Sequence, residues 1–391
     1  MQTFRGYQRA DGSVGIRNLI MIIAADECAE GIARAISEKT PGSVVVTNYN
    51  TCMYGGNEEM IGTMINAATN PNIAGALVIN MGCGSIAPDL VAGPIRATGR
   101  PVETLTCIKE SGTVSTIREG LKRIAAIVDH ANATEMVDAP ISKLFVGIKC
   151  GGSDTSSGIA SNPSVGLAAD KLIDMGASAV AGELLELLGC EHILKERAVT
   201  PEVFEKIEQL ISDEEKRWHV EGTQVETMSV GNSIGGLTTI EEKSLGALAK
   251  TGSKPIQDIL RINAKKLEKP EEPGMYLSET TMLCGGSAMH FAALGCQVIL
   301  WTTGGAGFNN PIVPVIRVSG NSQLINEDID IDATGIMRGE DSLENVSEEI
   351  LKTLAGVING EKTAIEDFGY AYCSLIQKDQ RVERLLSIPA E

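Results

Sequence analysis

The sequence contains 391 residues, of which 43% are hydrophobic and 21% are charged, and this length predicts two or three globular domains. The formal net charge of −18 and the aromatic content of 4% argue against nucleic-acid binding, which requires clustered cations and stacking surfaces. An anionic small-molecule substrate remains open, because a local group of cations can override the net field of the protein.

Apolar runs alternate with helical patterns through the first third of the chain. Strands are predicted at 19–25, 44–47, 76–80 and 102–105, and helices at 29–37, 58–68 and 114–130. This alternation predicts an α/β fold built from βαβ units around a parallel sheet. The polar, turn-rich segment 131–143 predicts a boundary between an N-terminal α/β domain at 1–135 and a C-terminal α/β domain at 140–391.

The nine cysteines form no CxxC pair, and the sequence opens without the apolar segment of a secretory signal. No apolar run is long enough to span a bilayer, so we expect a cytoplasmic protein with reduced thiols. Four thiols closely follow predicted strands, namely Cys28, Cys52, Cys83 and Cys150. Such soft ligands suit iron or zinc if the strand ends converge, whereas a lone cysteine is an ordinary core residue. These four are therefore candidate metal ligands, with core packing as the alternative.

The segment 147–163 joins a predicted strand to a predicted helix through glycines, hydroxyls and one acid. Polar residues at the carboxyl end of a parallel strand are where α/β proteins build their sites. Ser153 and Asp154 are therefore candidate catalytic residues. The alternative is a tight turn in which Asp154 or Ser157 caps the following helix.

A second glycine-rich segment, 231–252, places acids and a lysine next to a loop. Glu241, Glu242 and Lys243 follow that loop, and mixed acid and amine groups transfer protons when they are buried. If they are exposed, the same residues form a solvated helix start with a capping box from Thr238 to Glu241. The sequence leaves both interpretations open.

The remaining C-terminal half continues the α/β alternation. The predicted elements are a helix at 165–175, a strand at 177–182 that leads into Glu183 and Glu186, a helical region at 195–228, a helix at 256–267, strands at 297–301 and 311–318, and closing helices at 341–391. Acid alternates with isoleucine at 326–332, which in a strand places Asp328, Asp330 and Asp332 on one face. Those carboxylates then either lie in water or bind a cation.

Several stretches together resemble the altronate and galactarate dehydratase family of sugar-acid lyases. They are GSVGIRN (12–18), NPNIAGALVI (70–79), KCGGSDTSSGIASNP (149–163), GNSIGGLTTIEEKSLG (231–246) and TTGGAG (302–307), with a fainter match at DIDIDATG (328–335). The resemblance implies β-elimination on a hydroxy acid and a requirement for iron, as Fe²⁺ or an iron–sulfur cluster, or another divalent metal. It also implies a homodimer formed through the first domain, and a C-terminal domain with a variant Rossmann-like parallel sheet flanked by helices.

The chain departs from the sugar-acid members in two respects. It begins directly at the GYQRADG segment, so the small β-clip domain common in those members is expected to be missing or to be supplied by a separate small subunit. Its cysteine segments NTCMYGGNEE and NMGCGS differ from the YGCS and GLGCE of altronate-type members. Sulfolactate sulfo-lyases, with a small α and a large β subunit, resemble this arrangement, as do split altronate dehydratases. The favoured reaction is therefore (2R)-sulfolactate to pyruvate and sulfite, with dehydration of altronate or galactarate as the alternative.

A β-elimination needs a base near the α carbon and cations for the anionic ends of the substrate. Lys243, or one of Glu241 and Glu242, is the expected base, and Arg17 and Lys109 are expected to hold the anionic ends. Further candidate substrate-binding residues are Asn18, Ser157, Asn162 and Asn232.

Two other classes of function stay open. A nucleotide-binding oxidoreductase is disfavoured because no GxGxxG follows an early strand, and the remaining class is a non-catalytic scaffold subunit.

Overall fold

A computed structural model gives the fold and describes residues 2–49, 58–218, 228–262, 268–280, 284–305, 309–366, 368–369 and 371–375. The strands are β1 (Thr3–Gln8), β2 (Val14–Gly15), β3 (Leu19–Ala24), β4 (Ser43–Thr47), β5 (Ile73–Asn80), β6 (Val102–Thr106), β7 (Met136–Pro140), β8 (Phe145–Cys150), β9 (Ser178–Ala181), β10 (Ile256–Leu260), β11 (Met275–Ser278), β12 (Val298–Thr302), β13 (Val315–Ser319) and β14 (Ile331–Asp332). The helices are α1 (Glu30–Ser37), α2 (Glu58–Ala68), α3 (Pro88–Ala97), α4 (Thr113–Ala133), α5 (Asn162–Asp174), α6 (Glu191–Arg197), α7 (Pro201–Trp218), α8 (Val230–Ile234), α9 (Ile240–Leu248), α10 (Cys284–Leu294), α11 (Thr334–Met337) and α12 (Leu343–Ile358).

The N-terminal strands form the predicted parallel sheet, which has four strands in the order β4-β3-β5-β6. Its central strands are apolar along their length because helices cover both faces. Helices α1 and α4 pack on one face, where Ile36 and Ile127 contact the cluster around Leu77. Helices α2 and α3 pack on the other face, where Met64 and Val91 join a second apolar cluster.

The segment predicted as a domain boundary contains a strand. After α4 ends at Ala133, β7 pairs antiparallel with β1 at the start of the chain, and β1 also pairs with β2. The small sheet β2-β1-β7 therefore ties the connecting segment back to the N-terminus. The domain limits at 135 and 140 stay a prediction.

The C-terminal half is built on a seven-stranded parallel sheet in the order β10-β11-β9-β8-β12-β13-β14. The chain adds strands on one side of β8 from β9 to β11 and then crosses to the other side with β12. The carboxyl ends of β8 and β12 thus flank a topological switch point, where open α/β sheets bind their ligands. Helices α5, α7 and α12 cover one face of this sheet, and α10 covers the other.

Helix α10 also joins the two parallel sheets to each other. Its Phe291 belongs to the same apolar cluster as Met64 of α2 and Trp301 of β12. Two parallel sheets flanked by helices confirm the predicted α/β class. Within the described ranges, no helix has the length and apolar character needed to cross a membrane.

The predicted helix at 256–267 is wrong, and two later segments form less regular structure than their patterns suggest. The helix predicted at 256–267 is replaced at its start by β10, because Ile256, Ile259 and Leu260 pair with β11 and fill the core beside it. The acidic alternation at 326–332 forms a strand only at Ile331–Asp332. Of the predicted closing helices at 341–391, the structure shows α12, and residues 361–366 that follow it are not helical.

Candidate functional site

Five ionisable side chains, at most 3% exposed, meet at the carboxyl edge of the seven-stranded sheet. We call them the buried charge cluster: Lys149, Glu183, Glu186, Lys243 and Lys250. Lys149 belongs to β8, and Glu183 lies just past the end of β9, after Gly182. Glu186 lies in the 3₁₀ turn Leu184–Leu187, Lys243 in α9, and Lys250 in the 3₁₀ turn Ala249–Thr251. The parallel sheet brings these segments together because strand ends and the turns after them share one edge.

The lysines and glutamates of the cluster are paired, and the pairing is uneven. Lys149 contacts the Glu183 carboxylate directly, and Lys250 contacts Glu186 directly. Lys250 also lies 3.9 Å from Glu183. The ammonium of Lys243 lies 3.7 Å from Oε1 of Glu186, beyond hydrogen-bond distance. Fully ionised, the cluster carries three positive and two negative charges, so its net charge is positive in an acidic protein.

The carboxylates keep two of the lysines protonated. Burial lowers the pKa of Lys149 and of Lys250, but the adjacent glutamates outweigh it and raise both pKa values above the ordinary range. Burial likewise opposes ionisation of Glu186, but Lys250 and Lys243 lower its pKa. Burial and the nearby Glu186 raise the pKa of Glu183. Lys149 and Lys250 are therefore ammonium groups at neutral pH and unable to accept a proton.

Cys150 lies at the end of β8, next to this cluster, and is fully buried. Its Sγ is 3.1 Å from Oγ of Ser153, and its backbone N–H donates to Glu183. Burial and the charge of Glu186 raise the pKa of the Cys150 thiol. The thiol is therefore protonated at neutral pH, and its contact with Ser153 connects the charge cluster to the next turn of the chain.

The turn after β8 holds Asp154 at the switch point of the sheet. Its carboxylate accepts hydrogen bonds from the hydroxyl of Ser156, the backbone N–H of Ser157 and the amide of Asn321. Gly304, just after β12, lies against the same carboxylate, and a Cβ there would be 2.1 Å from it. The turn leads through the π-helix Ser157–Ser161 into α5. Loops after β8, β12 and β13 thus converge on Asp154.

Three predicted substrate ligands hold these loops together by hydrogen bonds. The Asn232 amide donates to the backbone carbonyl of Ser153, and the Asn162 amide donates to that of Gly246. Asn162 also accepts a hydrogen bond from Thr302. The hydroxyl of Ser157 donates to the Asp154 carbonyl. The structure therefore brings Ser153, Asp154, Ser157, Asn162, Asn232 and Lys243 to one edge of the seven-stranded sheet.

Three other predicted substrate ligands lie away from this edge. Arg17 pairs with Glu366 at 2.9 Å and donates to backbone carbonyls, including that of Val357. Asn18 accepts a hydrogen bond from Arg9 and donates to the carbonyl of Ala131. Lys109 is exposed after β6, at the edge of the four-stranded sheet. In this structure, Arg17 and Asn18 therefore connect separate segments of the chain by an ion pair and hydrogen bonds.

The two predicted acidic bases are exposed. Glu242 accepts hydrogen bonds from the backbone N–H and hydroxyl of Thr238, and Thr239 caps the start of α9. Glu241 lies on the surface against Gly189. The solvated helix start therefore describes Glu241 and Glu242, whereas Lys243 points into the buried charge cluster.

The predicted metal ligands do not form one site in the part of the chain that the structure describes. Cys28 and Cys83 are exposed at the four-stranded sheet, whereas Cys150 is buried at the seven-stranded sheet. Cys52 lies outside the described residues. Among those described, no group of three or more histidine, cysteine or acidic side chains is arranged to hold a metal ion.

The acidic alternation near the C-terminus does not form a metal site there either. Asp330 accepts the backbone N–H groups of Arg317 and Ala364, and Asp328 lies 4.0 Å from the guanidinium of Arg317. Asp332 accepts the N–H of Thr334. These carboxylates therefore satisfy backbone and guanidinium groups.

No motif of the sequence assigns a role to four members of the buried charge cluster: Lys149, Glu183, Glu186 and Lys250. Lys149 interrupts an apolar strand pattern, and a lysine in such a pattern is ordinarily expected to face the solvent. Glu183 and Glu186 carry a signal, since they follow a predicted strand end as Cys150 does. Lys250 carries none, because its role depends on a turn of the chain that only the tertiary structure places.

Comparison with known proteins identifies the family. The family model described as D-galactarate/Altronate dehydratase, C-terminal, matches residues 141–381, and that described as D-galactarate dehydratase/Altronate hydrolase, second domain, matches residues 6–132. The chain is 32% identical to (2R)-sulfolactate sulfo-lyase subunit beta of Chromohalobacter salexigens, covering 94% of this chain and 96% of that protein.

Two longer relatives are dehydratases. The chain is 31% identical to Altronate dehydratase of Bacillus subtilis, over 92% of this chain and 74% of that protein. It is 30% identical to Galactarate dehydratase (L-threo-forming) of Escherichia coli, over 93% of this chain and 74% of that protein. These matches confirm the resemblance seen in the motifs. The chain therefore belongs to the D-galactarate/altronate dehydratase family, and it is a lyase.

Proposed function

We propose that the chain is the large subunit of a lyase that converts (2R)-sulfolactate to pyruvate and sulfite, assembled with a small subunit. The observation that carries the proposal is the buried charge cluster beside the Asp154 turn. The substrate and the partner are inferred from the relative named a sulfo-lyase subunit beta, of which the match covers 96%. Dehydration of altronate or galactarate is the second candidate, supported by the relatives that are 31% and 30% identical.

The proposed reaction has two chemical requirements. Removal of the C2 proton leaves an electron pair that forms the C2–C3 double bond, while the C3–S bond breaks and its pair leaves with sulfite. The enol then gains a proton at C3 and loses one from its hydroxyl, which gives pyruvate. The site must therefore supply a base for C2 and positive charge for the carboxylate as it becomes an enediolate.

Lys243 suits the role of the base. Lys149 and Lys250 each contact a carboxylate directly and are held protonated, so neither accepts a proton. Lys243 alone among the three lysines of the cluster has its nearest carboxylate beyond hydrogen-bond distance, at 3.7 Å. We assign removal of the C2 proton to its amine, while Lys149 and Lys250 supply fixed positive charge. These charges are already in place before the reaction and require no reorganisation.

Iron dependence is part of the proposal, and it rests on the family resemblance. Because the described residues offer no group of ligands for a metal, no step is assigned to one. Metal analysis of the purified complex, before and after chelation, tests this dependence. We expect bound iron, loss of turnover on chelation and recovery with Fe²⁺. Full turnover in metal-free protein would contradict it, and retention of iron in Cys150→Ala would remove Cys150 from the ligand set.

The decisive assay offers three substrates to one protein. The chain is purified anaerobically together with the proposed small subunit, loaded with Fe²⁺ and given (2R)-sulfolactate, altronate or galactarate. Release of sulfite and of a 2-oxo acid is followed in parallel. Sulfite from sulfolactate supports the proposal, a 2-oxo acid from a sugar acid supports the second candidate, and no product from any of them contradicts both.

Substitution of Lys243 tests its role as the base. Lys243→Arg keeps a long cationic side chain at this position but cannot act as a base, because the guanidinium does not give up its proton. We expect turnover to fall by about 10²- to 10⁴-fold, the usual contribution of a positioned base. Lys122→Arg, whose side chain is 80% exposed, is the matched control and should retain full turnover. Substantial turnover in Lys243→Arg would assign Lys243 to charge stabilisation instead.

A further inference from the structure

Glu183 has a backbone conformation that its side chain does not favour. Its φ of 70° and ψ of 69° lie in the left-handed region, and it is the one non-glycine residue with positive φ in the described ranges. An L-residue is strained there, and such strain persists only when the surroundings enforce it. The chain keeps a glutamate where glycine would be free of strain, which indicates that the carboxylate is needed at this point.

Thr280 enforces this conformation from the neighbouring strand. It follows β11, and its Oγ1 accepts the backbone N–H of Glu183 at 2.7 Å. Gly182 lies against the same hydroxyl, and a Cβ at position 182 would be 2.1 Å from Oγ1. The absence of a side chain at Gly182 therefore lets Thr280 approach the peptide N–H that it holds.

The strained residue in turn fixes two parts of the site. One oxygen of the Glu183 carboxylate contacts Lys149, and the other accepts the backbone N–H of Cys150 at 3.2 Å. A rotation of Glu183 out of the left-handed region would withdraw its carboxylate from both. Lys149 would then lose the one carboxylate with which it forms an ion pair among the described residues, and its ammonium would change place.

We infer that Thr280 is a positioning residue of the active site, which holds Glu183 in its left-handed conformation and thereby fixes the ammonium of Lys149. This inference rests on the proposed function, because it assigns Lys149 a part in the elimination. The role belongs to the hydroxyl of Thr280 and not to its bulk, so the two properties can be separated by substitution.

The test compares Thr280→Val, which keeps the shape and removes the hydroxyl, with Thr280→Ser, which keeps the hydroxyl. Crystal structures of the wild-type chain and both variants report φ at Glu183 and the contact with Lys149. Assays with the substrate that the wild-type complex turns over report kcat and KM separately. We expect Thr280→Val to lose the positive φ and to lower kcat by on the order of tenfold to a hundredfold, with little change in KM. Thr280→Ser should keep both the conformation and kcat.

The structural and the kinetic measurements can each contradict the inference separately. A positive φ and an intact Lys149 contact in Thr280→Val would overturn the inference, whatever its activity. A lost conformation with an unchanged kcat would overturn the positioning role. If the wild-type complex turns over none of the three substrates, the proposed function fails and the role in elimination fails with it, while φ at Glu183 still reports whether Thr280 enforces the conformation.

Discussion

Gly304 lies so close to the carboxylate of Asp154 that no side chain fits between them. A Cβ at position 304 would be 2.1 Å from Oδ1 of Asp154, well inside van der Waals contact. Gly304→Ala therefore pushes Asp154 away from its hydrogen bonds with Ser156 and Asn321. We expect kcat to fall by on the order of tenfold to a hundredfold, because small displacements misplace site groups. Steady-state kinetics measure this loss.

A glycine with free space around it provides the control for Gly304→Ala. Gly31 is exposed in α1, and a Cβ there meets nothing within 4 Å. Gly31→Ala should leave kcat unchanged and raise the free energy of unfolding by about 0.5–1 kcal/mol, because alanine favours a helix. Equal kcat values in the two variants would show that the position of Asp154 is unimportant for turnover.

Single residues also show how far the candidate site follows from the sequence. Ser153, Asp154 and Lys243 lie in two motifs with unusual local composition, and the structure places all three at one edge. Lys149 and Lys250 have no such local signal, because a buried lysine is recognised only by the carboxylate that it meets. Glu183 and Lys250 are 67 positions apart, being numbers 183 and 250, yet lie 3.9 Å from each other. Proximity of this kind depends on the order of strands in the sheet.

At the scale of elements, hydrophobic patterning accounts for most of the fold. The strands at 19–25, 44–47, 76–80 and 102–105 and the helix at 58–68 are found where the sequence predicts them. They are long or strongly apolar, and their local preference agrees with the final packing. The order β10-β11-β9-β8-β12 is not encoded by any local pattern. The position of the switch point between β8 and β12, which locates the site, could therefore not be predicted from the sequence.

The strand β10 shows where patterning fails. Its five residues, IQDIL, carry apolar side chains at both ends, a spacing that suits one turn of a helix as well as a strand. Pairing with β11 decides between the two, because it satisfies the backbone hydrogen bonds and buries Ile256 and Leu260. A short segment with ambiguous spacing is therefore assigned by its tertiary partner and not by its own sequence.

At the scale of the whole molecule, buried amides fasten the N-terminal part of the chain to the seven-stranded sheet. Asn70 donates to the carbonyls of Ala292 and Cys296, at the end of α10. The amide of Gln297 donates to the carbonyls of Val14 and Lys143. These bonds surround the apolar cluster that α2 and α10 share, so the two sheets form one continuous packed structure. The NPN motif at 70–72 therefore belongs to the architecture of the molecule and not to its catalytic site.

Asn72 tests this attachment between the two sheets most directly, because both the nitrogen and the oxygen of its amide form hydrogen bonds. Its Nδ2 donates to the carbonyls of Gln297 and Ile312, and its Oδ1 accepts the N–H of Ile16. Asn72→Ala leaves these buried backbone groups without partners, so we expect the free energy of unfolding to fall by about 2–4 kcal/mol in urea denaturation. Asn345→Ala, an exposed position in α12, should cost less than about 0.5 kcal/mol. Equal losses in the two variants would mean that the amide of Asn72 does not hold the two sheets together.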